Sequence, residues 1–157
     1  MKVIAWKLNK KLVLLMYDLN RFIKAQEFNY KTALTEIKNG RKTSHWIWFI
    51  FPQLKSLGYS PTAKFYGIEN LDEAKEYLAN EILRKNLLEI SQALLDLKNN
   101  DIEYIMGSSI DKMKLLSSMT LFHLAEPNCE IFMKVIEKYF GGNLDSMTVN
   151  LCKNNFK

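Results

Sequence analysis

A chain of 157 residues, 48% apolar and 25% charged, has the size to bury about two-thirds of its unfolded surface in one core, and its composition excludes a disordered or fibrous protein. The formal charge of +5 is spread over interleaved acids and bases, with no run of like charge longer than "NKK", which weighs against a dedicated nucleic-acid domain built on a basic stripe. Two distant cysteines, Cys129 and Cys152, and two histidines, His45 and His123, provide neither a disulfide framework nor ligands at metal-binding spacing, so no metal and no cofactor is expected.

Residues 1–16 read as an N-terminal extension and residues 17–157 as a single domain. The extension carries lysines and one short apolar run, too short for a secretory core and without a small-residue cleavage site. Nothing in the chain approaches the roughly 20 apolar residues needed to span a bilayer. A cytoplasmic protein without membrane contact is the expectation.

In chain order, Asp18 is placed to cap a helix whose apolar positions Leu19, Phe22 and Ile23 recur at helical spacing. Asn29 is placed to cap a second helix, carrying Tyr30, Ala33, Leu34 and Ile37 and ended by Gly40. Next comes "HWIWFIF", whose β-branched and aromatic letters suit a strand by propensity. A short helix capped by Ser44 and stopped by Pro52 is favoured, because the only other strand-like run is "KLVLLMY" and a two-stranded ribbon is marginal alone. Ser60-Pro61 marks another helix start, and Asn70 with Glu73 marks the next. From Ile82 to Leu97 the residues Leu83, Leu87, Ile90, Leu94 and Leu97 step by threes and fours along one face. Asp101 caps a short turn ending at Gly107, Ser109 caps Ile110 to Leu124, and Glu126-Pro127 opens a helix closed by Gly141-Gly142. Asp145 caps a last one. The fold class is therefore all-α, with an α+β form containing a minor two-stranded ribbon as the alternative.

Two stretches carry more polar chemistry than a core needs. "GRKTSHWIWFIFPQL" frames its aromatic block with Arg41, Lys42, His45 and Gln53. "SIDKMKLLSSMTLFH" places Asp111, Lys114 and Ser118 on one helical stripe and Ser117, Thr120 and His123 on another, amid side chains that are apolar nearly all round. Buried Ser and Thr of this kind often bond the carbonyl one turn back, which is the structural reading of Ser117 and Thr120. Likewise Trp46, Trp48 and His45 have an ordinary reading as core groups. Their crowding is what points to a site.

The blocks "HWIWFIFPQLKSLGYSPTAKFYGI", "KLLSSMTLFHLA" and "KYFGG" together resemble the family called domain of unknown function 1810, small bacterial proteins often carrying a calpastatin-like label. The resemblance runs from about Asp18 to Leu151 and implies a mainly helical domain without an assigned activity. The positions that match its polar pattern are His45, Trp46, Trp48, Gln53, Ser60, Asp111, Lys114, Ser117, Ser118 and Thr120. The chain departs from the pattern at "ANEILRKNL", where the family usually has a His-Pro and a Gly. A compact chain gives no support to the calpastatin label, since calpastatins are long disordered inhibitors.

Two functional expectations follow. One is a pocket between the aromatic block and the Asp111–Thr120 helix. There Lys114, Arg41, Gln53 and the hydroxyls of Ser117, Ser118 and Thr120 would hold an anionic small molecule, such as a nucleotide or an ADP-ribose-like compound. Trp46 or Trp48 would stack a flat ring, and Asp111 or His45 would serve as general acid or base for glycosidic or phosphoester hydrolysis. The other is a non-catalytic module that offers the aromatic block to a protein partner or to single-stranded RNA. The first requires the polar groups to converge in one hollow, and the second requires exposed tryptophans.

Overall fold

A computed structural model describes residues 17–154 of the chain. The extension, its secretory reading and nearly all of "KLVLLMY" therefore lie outside the described residues. The described residues form helices α1 (Asn20–Lys38), α2 (Ile47–Ile50), α3 (Pro61–Phe65), α4 (Leu71–Ala79), α5 (Glu81–Asp96), α6 (Ile102–Met106), α7 (Ser109–Ala125), α8 (Glu130–Phe140) and α9 (Ser146–Asn154). A 3-10 turn, Lys55–Leu57, follows α2. The architecture is all-α. The only extended pairing among the described residues is an isolated parallel bridge between Leu54 and Ile68.

Local chemistry explains most of the boundaries. The side chains of Ser60, Asn70, Asn80 and Asp101 each accept a backbone N–H in the first turn of the helix that follows, satisfying donors that a helix start leaves unpaired. Gly107 and Gly141 end α6 and α8 in the left-handed conformation that favours glycine. On α5, Leu83, Leu87, Ile90 and Leu94 are buried at the spacing expected for its inner face. A fully buried side chain of this size contributes roughly 1.5–3 kcal/mol.

Five boundaries differ from expectation. α1 is one continuous helix: Asn29 does not start a second, because its amide donates to the carbonyl of Ala25 one turn back, at 2.7 Å. Leu19 stands at the α1 N-cap, with no side-chain cap, and Asp18 instead offers its carbonyl to Arg21. Ser44 does not cap α2, because its hydroxyl donates to Glu36 at 2.6 Å. Glu126-Pro127 opens no helix: α8 begins at Glu130 after Cys129, while α7 is capped one residue early by Ser108.

The core is one continuous cluster, and α7 runs through it, packed against α2, α4, α6, α8 and α9. Residues Leu115 to Phe122 of α7 are buried without interruption, as an all-round apolar helix requires. Its two ends, Ser109 to Lys114 and His123 to Ala125, reach the surface. No helix among the described residues is long and apolar enough to cross a membrane.

Candidate functional site

The outer turns of α7 form one wall of a groove of about 630 Å³. Gln53 and the segment from Leu57 to Ala63 form the facing wall, and Asp145 and Met147 also line the groove. The facing wall is held from behind by Arg21 on α1. Its guanidinium donates to the carbonyls of Phe65 at 2.8 Å and Gly67 at 2.9 Å and pairs with the buried carboxylate of Glu73 at 3.0 Å. Each of these bonds fixes the loop that follows the aromatic block, so the groove is a preformed feature of the fold.

Within the groove, Lys114 and Ser117 lie one turn apart on α7. The Lys114 ammonium stands 5.2 Å from the ring centroid of Trp48 and has no carboxylate within 4.0 Å among the described residues. Ser117 makes the expected bond to the carbonyl of Met113 at 3.1 Å and also reaches Asp145 Oδ2 at 3.3 Å. The rim is apolar: Tyr59, Ile110, Met113 and Met147 line it, and all four are exposed, Tyr59 to 90%.

The sequence-predicted residues divide into three groups. Lys114, Ser117 and Gln53 meet in the groove, and Trp48, half-buried, lies just behind it beside Gln53 and Lys114. Trp46, Ser118 and Thr120 are buried: the Trp46 indole donates to Glu36 at 3.0 Å, and the Thr120 hydroxyl accepts the backbone N–H of Asp145 at 2.9 Å. The remaining candidates, Arg41, His45 and Asp111, do not line the groove. Arg41 is exposed, with its guanidinium 4.6 Å from the Tyr104 ring centroid; His45 is exposed; and Asp111 is ion-paired with Lys42 at 2.8 Å.

Glu36 organises the loop before the aromatic block. Its carboxylate accepts the N–H groups of Thr43 and Ser44, the Ser44 hydroxyl and the Trp46 indole N–H. Desolvation pushes the Glu36 pKa up, but these donors together outweigh it and hold the group down to about 2. Sequence reasoning passed over Glu36 because an acid on an amphipathic helix is unremarkable. It also passed over Tyr59, Ile110, Met113 and Met147, which carry no local signal beyond hydrophobicity, and read Asp145 only as the helix cap that it is.

The family model described as "Protein of unknown function (DUF1810)" matches residues 16–152. Among solved structures, the chain is similar to the conserved hypothetical protein Rv1873 from Mycobacterium tuberculosis. The two are 42% identical, the match covers 87% of this chain and 97% of the other, and the TM-score is 0.84. A comparison with curated proteins finds no match.

Proposed function

Because the chain belongs to the DUF1810 family, whose description assigns no activity, the groove itself carries the functional reading, and we propose that it binds an anionic small molecule with an apolar body, such as a nucleotide or an ADP-ribose-like compound. The observation that carries this is the pairing of Lys114 with Gln53. Both line the groove, and neither side chain has a hydrogen-bonding protein partner among the described residues. A solvated ammonium beside an amide with spare donors suits a phosphate, and the Tyr59, Ile110, Met113 and Met147 rim suits a flat or aliphatic body. A volume of about 630 Å³ lies within the range of small-molecule sites. Asp111 and His45 stand outside the groove, so the reading is of binding and assigns no step to either.

One observation favours the second reading, a module for a protein partner. The exposed, methionine-bearing rim is the kind of adaptable apolar surface that peptide-binding grooves use. Single-stranded RNA would draw on exposed stacking faces, and Trp46 is only 1% exposed.

Thermal-shift titrations with AMP, ADP-ribose and ribose 5-phosphate separate these readings. A ligand that binds only the folded state raises the melting midpoint by mass action. Loss of a charge-assisted bond in Lys114→Ala should weaken binding by about 1.5–3 kcal/mol, ten- to a hundredfold. If no anionic compound shifts the wild-type protein at millimolar concentration, the small-molecule reading fails.

A further inference from the structure

We infer that Asp145 makes the groove selective for anions that also carry a hydrogen-bond donor, the chemistry of sugar phosphates and nucleotides as opposed to simple alkyl phosphates. This rests on the reading of the groove as a small-ligand site.

The two oxygens of the Asp145 carboxylate have different surroundings. Oδ2 accepts the backbone N–H of Thr148 at 3.1 Å, the Thr148 hydroxyl at 2.5 Å and the Ser117 hydroxyl at 3.3 Å. The N–H of Asp145 itself donates to Thr120 on α7 at 2.9 Å. Thr120 and Thr148 are wholly buried, so the carboxylate is gripped by rigid neighbours. Oδ1, in contrast, accepts no hydrogen bond from the described residues and is not among the buried polar atoms left without a partner, so it remains open to solvent. Asp145 lines the groove, which makes this oxygen a fixed acceptor in a space whose cation is Lys114.

An ionised carboxylate oxygen only accepts, and an ammonium only donates. A dianionic alkyl phosphate satisfies Lys114 and meets repulsion at Asp145. A polyol phosphate satisfies both, its phosphate oxygens taking the Lys114 protons and a hydroxyl donating to Oδ1. Gln53 can serve either part.

Asp145→Asn tests this with little change of shape. The Thr148 N–H can only donate and requires an acceptor where Oδ2 stands, so the asparagine turns its carbonyl there and sets its NH2 group in the place of Oδ1. The acceptor facing the groove becomes a donor. Isothermal titration at pH 8, where alkyl phosphates are dianions, should show AMP and ribose 5-phosphate binding Asp145→Asn at least tenfold more weakly than wild type, with n-butyl phosphate binding equally or more tightly. Asp145→Ser, a second residue able to cap a helix start, should show the same loss for AMP if the asparagine variant fails to fold. Equal AMP affinity in wild type and Asp145 variants, with loss in Lys114→Ala, would overturn the role of Asp145 and leave the groove reading standing. AMP affinity unaffected by Lys114→Ala, or no binding of AMP, ribose 5-phosphate or ADP-ribose to wild type, would overturn both.

Discussion

Lys42 Nζ stands 2.8 Å from Asp111 Oδ2, and the two side chains are only 7% and 15% exposed. The same ammonium donates to the carbonyl of Ser44 at 2.6 Å and lies 5.0 Å from the Trp46 ring centroid. The Lys42 N–H donates to the carbonyl of Ile105 at 2.7 Å, and a side chain at Gly107 would press on the Lys42 carbonyl. The loop before the aromatic block is thus fastened to the start of α7, whose next turn carries Lys114.

Removing one partner of such a pair leaves a charge withdrawn from water without its counterion, at a cost of about 3 kcal/mol. Asp111→Ala should therefore lower the free energy of unfolding by about 3 kcal/mol, read as a lower urea midpoint at unchanged slope. The double variant Lys42→Met with Asp111→Leu should recover most of the loss, because two packed apolar groups carry no desolvation penalty. A double variant as unstable as the single would show that the pair itself, and not the orphaned charge, holds the loop.

Glu36 makes stability depend on acid. Its pKa falls from the ordinary 4.5 to about 2 in the folded chain, so the unfolded state binds its proton first as pH drops. The contribution of Glu36 is fully present above pH 4.5 and is lost as pH falls toward 2. Glu36→Gln, which keeps an acceptor oxygen but does not titrate, should be less stable than wild type at pH 7, and the difference should shrink between pH 4.5 and 2. Chemical denaturation of both proteins across that window measures it, and parallel curves would mean that Glu36 contributes no linkage.

What was legible in the sequence was the chemistry that acts within one turn. Ser60, Asn70 and Asp101 announced helix starts because a cap bonds two or three residues onward, and the spacing of Leu83, Leu87, Ile90 and Leu94 displayed the inner face of α5. Asn29 misled for the same reason, since its side chain is equally able to bond backward, and the covering of α1 by α2 and α5 decided the matter. Lys114, Ser117 and Gln53 were legible as polar groups out of place among apolar neighbours. The partners that give them meaning were not. Lys42 finds Asp111, and Ser117 finds Asp145, only after distant segments have packed.

Gln26 is a buried polar group whose role is to join elements. Its amide donates to the carbonyl of Phe49 on α2 at 2.8 Å and to the Tyr77 hydroxyl on α4 at 3.0 Å, while its oxygen accepts from Asn86 on α5 at 2.9 Å. Gln26→Leu keeps the volume but leaves the Phe49 carbonyl without that donor, and each orphaned buried group costs about 1–3 kcal/mol. A loss of about 3 kcal/mol with an unchanged denaturant slope is expected. A neutral result would show that the neighbouring groups find other partners by small rotations.

Gly67 governs the wall of the groove by its lack of a side chain. A Cβ at this position would lie 2.4 Å from Lys55 Cα, closer than any repacking of side chains can relieve, because the opposing atom is backbone. The two segments meet here because the Lys55 N–H donates to the Ile68 carbonyl at 2.8 Å and the Ile68 N–H donates to the Gln53 carbonyl at 2.9 Å. Gly67→Ala must therefore push the strands of chain apart and strain both bonds, with a cost of about 1–3 kcal/mol or more. Since Gln53 sits on the displaced segment, the same substitution should weaken AMP binding as well as lower the melting midpoint. Hydrogen exchange at the Lys55 and Ile68 amides reads the opening directly, and protection equal to wild type at both would contradict the close approach of these two segments.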